Sequence, residues 1–428
     1  MVVETRLARQ ISRLAVPALI MMAVSTVPAE SVKRYGAIGN AEGDDAPAIQ
    51  AAIDATAPGG TVTIPAGRYR IRSTLHLRSN ITYKGINSPV LLGHQGGGSN
   101  GYLLADGSEA SNVRITGIVF DGGGISFAPG KWTSNITITG NTFQNIVTTG
   151  PNVERLHAGI YIDHVSKVYI TDNRFYNIID GGAPTVYTDK HPLANGIKVY
   201  HASHLMVTGN TMEYMGQGIS ISAISPSDPC DCRDIKISGN KFNRVFRMAI
   251  EIQGGLPGHP LTGLVIDHNT GTDWLNPYAD TFGISLAAYS VGAIVSNNYF
   301  DAFPSAPNDA HWRRYGYCLE IGGKRTLVQR NTCVSSGGAR SWGWSLSGPK
   351  NLVVAIAGND AIVRYNTICD GPGSIDYEPP HPENSGHAAQ IHGNSYPACG
   401  HFTAGGIRQR GSAGKGGEAK VLSLPALR

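Results

Sequence analysis

The side chains that could do chemistry in this chain sit at regular intervals. A phrase of the form Gly-Ile-x-Ile-x returns as Gly159-Ile-Tyr-Ile-Asp163, Gly196-Ile-Lys-Val-Tyr200 and Gly218-Ile-Ser-Ile-Ser222. It continues as Ala249-Ile-Glu-Ile-Gln253, Gly283-Ile-Ser-Leu-Ala287 and Cys318-Leu-Glu-Ile-Gly322. Strand alternation sends Ile, Val and Leu to one side and the x positions to the other. One outward row then reads Tyr161, Lys198, Ser220, Glu251, Ser285, Glu320. The second reads Asp163, Tyr200, Ser222, Gln253, Ala287, Gly322, and His157 and Arg247 share the parity. Two carboxylates, Glu251 and Glu320, suit acid and base roles in glycoside hydrolysis. Asp163 is placed to neutralise Lys198. Tyr161 and Tyr200 offer rings on which a sugar stacks. His157, Ser220, Ser222, Arg247 and Gln253 complete a binding surface. The same face admits a second chemistry, abstraction of the proton α to a uronate carboxyl. Lys198, Tyr161 or His157 would be the base there, and Arg247 or a bound Ca²⁺ would neutralise the carboxylate.

These rows need a scaffold that repeats. A second phrase supplies it, a β-branched residue followed three positions later by Asn. Copies end at Asn141, Asn173, Asn210, Asn240, Asn269, Asn298, Asn331 and Asn366, with steps of 32, 37, 30, 29, 29, 33 and 35 residues, and an incomplete copy ends at Asn394. Such periodicity is the signature of a solenoid. Short alternating strands and polar turns make each repeat one coil of strands, with Ile and Val stacked inside. Asn suits the bend because it tolerates positive φ and its amide can bond the next coil. Coils stack about 4.8 Å apart, so Glu251 and Glu320, two coils apart, are separated by roughly 9–10 Å. Asp44 to Thr56 reads as a capping helix, with Asp44 or Asp45 as N-cap, Pro47 in the first turn, and Ile49 and Ile53 on one face.

Composition agrees. The chain holds 54 Gly and 24 Pro, and only 15% of its residues are charged, too few for a disordered chain. Residues 1–29 read as a secretory signal, with Arg6, Arg9 and Arg13 before the apolar stretch Leu14 to Val24. The expected location is therefore secreted or periplasmic, with no membrane span after cleavage. The formal charge of +4 is carried by the ends. Removing the leader leaves +2, and the flexible tail 406–428 carries +4, so the body 30–405 is near −2. That balance gives no footprint for nucleic acid. Six cysteines fit export and disulfides. Cys333 and Cys369 occupy nearly equivalent repeat positions, as on neighbouring coils. Cys230 and Cys232 are half of a zinc spacing without its second half, so no metal ligands are expected.

The stretches Val32-Lys-Arg-Tyr-Gly-Ala-Ile-Gly39, Asp44-Asp-Ala-Pro-Ala-Ile-Gln50-Ala-Ala-Ile53 and Gly59-Gly-Thr-Val-Thr-Ile-Pro65-Ala-Gly-Arg-Tyr69 resemble the opening of the pectate lyase superfamily. The resemblance implies a strand, a capping helix and the first coil of an all-β right-handed parallel β-helix. It implies a carbohydrate ligand and leaves the reaction open. The motif set of polygalacturonases is missing apart from a loose echo in Gly196-Ile-Lys198, and the Asp-Pro-His cluster of mannuronan epimerases is absent. Lyases of this fold place a Lys on one coil and an Arg on the next. Lys198 matches the first, but the next coil offers Ser220 and Ser222.

The sequence thus points to one elongated domain over 30–405 that cleaves a polysaccharide, with hydrolysis by Glu251 and Glu320 placed first. A lyase or epimerase acting on a uronate glycan is the alternative, and a non-catalytic glycan-binding β-helix is a third reading. The hydrolase needs no cofactor, and Ca²⁺ enters only with the lyase.

Overall fold

The computed structural model describes residues 29–93, 102–105, 109–128, 130–148, 158–180, 194–222, 232–256, 258–272, 281–286, 289–303, 316–335, 354–356, 360–368, 375–377 and 389–397. All strand ladders are parallel, and they wind into a right-handed parallel β-helix. Each coil contributes to three faces. The first face begins with Ala29–Ser31 and Thr61–Ile64 and ends with Ile362–Arg364 and Gln390–His392. The second face contains Thr142–Thr148, Arg174–Asp180, Tyr299–Phe303 and Thr332–Ser335. The third contains Ala158–Ile162, Asn195–Val199, Thr281–Leu286 and Gly316–Ile321. The long strands Thr211–Ile221 and Lys241–Ile252 run through both the second and the third face.

The interior is the stack the repeat implies. Ile138, Ile170, Val207, Ile237, Ile266, Val295, Val328 and Val363 are fully buried, one per coil. Phe120, Phe143 and Phe175 stack beneath the second face with ring centroids 4.9 and 5.0 Å apart. Burying each such side chain contributes about 1.5–3 kcal/mol.

The repeated asparagines form one ladder. From Asn141 to Asn366, each backbone N–H and each Nδ2 donates to Oδ1 of the next Asn, and Asn394 closes the series. The bonding role holds, but the bend is made elsewhere. Positive φ falls on the residue before each Asn: Gly140, Asp172, Gly209, Gly239, His268, Asn297, Arg330, Tyr365 and Gly393. The sharp turn and the hydrogen bonding are thus divided between neighbours, which explains the frequent Gly-Asn pairs.

The cap is the helix Ala46–Ala55, with Ile49 and Ile53 buried. Its N-terminus differs in detail from the expectation. Asp45 takes the N-cap position without a side-chain cap bond, and its carboxylate accepts instead from the N–H groups of Ile38 and Gly39. Asp44 accepts from Ala46 N–H and from Arg72 N–H, tying the helix start to the sheet edge. Among the described residues, no helix is long and apolar enough to cross a membrane. Residues 1–28 and the tail 406–428 lie outside the described residues.

Candidate active site

The first outward row is a continuous ladder on the third face. Ser126, Tyr161, Lys198, Ser220, Glu251, Ser285 and Glu320 are successive partners across six parallel pairings. The ladder continues to Ala355 and Asp376. The glycines of the phrase let the third face approach the packed second face. A Cβ on Gly218 would lie 2.4 Å from the Phe242 ring, and one on Gly159 would lie 2.8 Å from Phe175. Glu251 and Glu320 stand two coils apart, as their spacing implied.

The row is not the open surface expected from parity. Lys198 is 5% exposed, Glu251 3% and Ser220 fully buried, and Tyr161, Ser222 and Ser285 are also buried. Alternation gives the side on which a residue lies, but it carries no information on what covers that side. Among the described residues, only Glu320 of this row, and Tyr200, Gln253 and Asp163 of the second, keep partial exposure.

A charged network fills the covered track. Lys198 Nζ donates to Ser220 Oγ at 3.0 Å and to Ser222 Oγ at 2.9 Å. Ser220 Oγ donates to Glu251 Oε2 at 2.9 Å, and Gln217 Nε2 reaches the same oxygen at 3.3 Å. The other oxygen accepts from Gln253 Nε2 at 2.9 Å and faces Arg247 Nη1 at 3.6 Å. Glu251 is therefore bonded at both oxygens, and the hydroxyl of Ser220 links it to the Lys198 ammonium. One coil on, Ser285 Oγ donates to Glu320.

Aromatic groups flank the lysine. Lys198 Nζ lies 5.2 Å from the centroid of the Tyr200 ring, within cation–π range. Tyr161 packs between Tyr102 and Tyr200 with centroids 6.1 and 5.8 Å apart. Burial, with Tyr161 close by, drives the Tyr102 phenol far above its ordinary range, so it stays neutral at all working pH values.

Asp163 does not neutralise Lys198. Its Oδ1 meets His201 Nδ1 at 2.6 Å and His164 Nδ1 at 2.9 Å. The strand ends at Ile162, and the corner that follows turns Asp163 and His164 together toward the next coil. Sequence reasoning missed His164, His201 and Gln217. A signal for the histidines existed: they are 37 residues apart, the same step that separates Asn173 from Asn210. Gln217 sits beside a register shift in its strand, so simple alternation does not assign its side. Asp163, His164 and His201 are the only three-residue group of metal-type side chains among the described residues, and no carboxylate cluster suited to Ca²⁺ is found there.

His157 and Ala287 lie outside the described residues, as do Cys230, Cys369 and Cys399. Cys333 is bonded to Cys318, with Cα atoms 6.0 Å apart, and its neighbour on the next coil is Ile368. The sequence left the pairing open, and the structure joins Cys333 to Cys318. Cys232 is also disulfide-bonded, and no described cysteine is a free thiol.

Residues 29–226 match the family model described as rhamnogalacturonase A/epimerase, pectate lyase-like. Over that segment, a little under half of its length, the chain is similar to this family. Mannuronan C5-epimerase AlgE1 of Azotobacter vinelandii is 39% identical over 118 residues, 26% of this chain and 8% of that protein. Alginate lyase 7 of the same organism is 36% identical over 113 residues, 26% of this chain and 12% of that protein. The aligned segment is thus a small part of those longer relatives. Among solved structures, the surface adhesin PfbA of Streptococcus pneumoniae matches with a TM-score of 0.59 at 14% identity, covering 93% of this chain and 100% of that one. That likeness is one of fold.

Proposed function

We propose that this protein is a secreted enzyme that acts on a uronate-containing polysaccharide by removing the proton α to the carboxyl group. It would be a lyase or a C5-epimerase. The observation that carries the reading is the Lys198 ammonium, fixed by two serine hydroxyls beside the Tyr161–Tyr200 pair. A carboxylate drawn to Lys198 loses part of its charge, and the adjacent C–H becomes more acidic. Lys198 donates to both serines and is linked to Glu251, so it suits the cation role better than the base role. Tyr161, on the adjacent coil and in register with Lys198, is the base in this scheme. Proton return to the opposite face gives epimerisation, and loss of the 4-linked oxygen gives elimination. Likeness to mannuronan epimerases and an alginate lyase over a quarter of the chain supports the uronate substrate. The basic and apolar opening of the sequence, Arg6 to Val24, supports an exported location.

Hydrolysis by Glu251 and Glu320 is the second reading, favoured by their positions on one row. A general acid must be protonated and free to donate, whereas Glu251 is hydrogen-bonded at both oxygens and faces Arg247. Its bonding suits a positioning role for Lys198 and Arg247.

Incubation with polymannuronate and polygalacturonate in D₂O separates the two. The proposal expects deuterium at C5 or an unsaturated uronate absorbing in the ultraviolet. New reducing ends with neither signal would overturn it and restore the hydrolase. Lys198→Ala and Tyr161→Phe should each lower the rate about 10²–10⁴-fold, the usual scale for general acid–base groups.

A further inference from the structure

We propose that Asp163, His164 and His201 form a binding site for a divalent transition-metal ion, with Zn²⁺ the best match. The site lies at the corner between the third and the first face, next to Tyr200 and outside the Lys198–Glu251 network. Val165 pairs with Ala202, so His164 and His201 occupy equivalent positions on adjacent coils. Their rings are stacked 4.3 Å apart, and both present Nδ1 to one oxygen, Asp163 Oδ1. The three ligand atoms lie within 4.8 Å of one another.

The donor set decides the class of ion. Two imidazole nitrogens and one carboxylate oxygen are ligands for Zn²⁺, Cu²⁺ or Ni²⁺, whereas Ca²⁺ and Mg²⁺ take oxygens. A tetrahedral ion with bonds of 2.0–2.1 Å needs ligand atoms roughly 3.3 Å apart. The nitrogen–oxygen distances of 2.6 and 2.9 Å reach that value if they lengthen by about 0.7 and 0.4 Å. The scaffold holds the ligands in place. His201 is 7% exposed, and Trp132 packs edge-on against His164 with centroids 5.7 Å apart. Asp163 and His164 remain 23% and 14% exposed, so an ion can enter. Three protein ligands leave a fourth position for water or an anionic oxygen, the arrangement of sites that bind a further ligand.

The full-length protein, stripped with chelator and dialysed, would be titrated with Zn²⁺ by calorimetry and with Co²⁺ by visible absorption. We expect one ion per chain and the absorption of tetrahedral Co²⁺. His201→Ala and Asp163→Asn should weaken binding at least tenfold, with His204→Ala and His268→Ala unaffected. Those two histidines pair with Asp234 and Asp267 on the first face and serve as controls. Should His201→Ala fail to fold, His164→Gln at the more exposed ligand gives the same reading. A stripped protein that takes up no stoichiometric ion would overturn the proposal and leave a hydrogen-bonded Asp163–His201 pair with His164 stacked on it. So would binding that survives loss of either histidine. Neither result depends on the reaction catalysed.

Discussion

At the scale of single residues, the decisive group is Glu251. It is buried with Arg247, and their side chains are 4% and 13% exposed. Removing one partner of such a pair leaves an uncompensated charge, which costs about 3–5 kcal/mol. Glu251→Ala should therefore destabilise the protein by that amount in chemical denaturation. Glu251→Gln, which keeps the shape and can still accept from Ser220, should cost less. Under the lyase or epimerase reading, Glu251→Gln retains measurable turnover. Under hydrolysis it abolishes turnover, so stability and activity together separate structural from catalytic use of this carboxylate. The row to which Glu251 belongs was legible because period-2 alternation and the coil step are both visible in the sequence. Its burial was not, because nothing in the Gly-Ile-x-Ile phrase reports what lies over the third face. Asp163 shows a related gap. Its partner His201 is 38 residues away, and the nearer cation in the same phrase, Lys198, was the natural but mistaken choice.

At the scale of elements, the asparagine ladder makes the corners specific. Asn210 accepts from Asn173 N–H and Nδ2, and donates to Ile170 O, Thr208 O and Asn240 Oδ1. Asn210→Ala strands at least two buried backbone groups at about 1–3 kcal/mol each. A loss of about 3 kcal/mol or more is expected in denaturant unfolding, whereas an exposed polar residue replaced by Ala should change little. The preceding corner residue has a separate requirement. Gly209 has φ of 68°, and a Cβ there would meet Asp172 Oδ1 at 2.5 Å. The sequence displayed the asparagines and the glycines but not this division of labour, because φ is a property of the folded turn. Corner carboxylates add a pH dependence. Partial burial raises the Asp267 pKa, but hydrogen bonds from Asn297, Ser296 and His268 outweigh it and leave the group below its ordinary value. A depressed carboxyl stabilises the fold above its unfolded pKa of about 3.9, and this is lost as pH falls through the folded value. Asp267→Asn should lower stability at neutral pH and flatten the acid limb of a thermal-stability profile below about pH 4.

At the scale of the whole molecule, each coil touches only its neighbours, so local perturbations stay local. The Cys318–Cys333 disulfide closes a loop with a sequence separation of 15. Loss of a loop closure of that size costs about 3 kcal/mol. In the double variant Cys318→Ala, Cys333→Ala, amide exchange should quicken in strands such as Leu327–Gln329 and Ile362–Arg364. Strands near the capping helix, such as Thr61–Ile64, should keep their protection. The fold was legible from the Asn spacing and the opening segment, because a solenoid writes its architecture along the chain. The coils of Thr61–Ile64, Thr82–Gly85 and Val113–Thr116, however, precede the first repeated Asn and escaped the count. The same linear arrangement has a consequence for how such a site changes over time. Thr211 pairs with Lys241 across adjacent coils, so excising residues 211–240 would join two chain ends that already occupy equivalent places. The stack would close without a register slip, Ser220 and Ser222 would vanish, and Lys198 would be brought beside Glu251. One clean deletion in the gene could therefore rewrite the chemistry of the row and spare the scaffold that carries it.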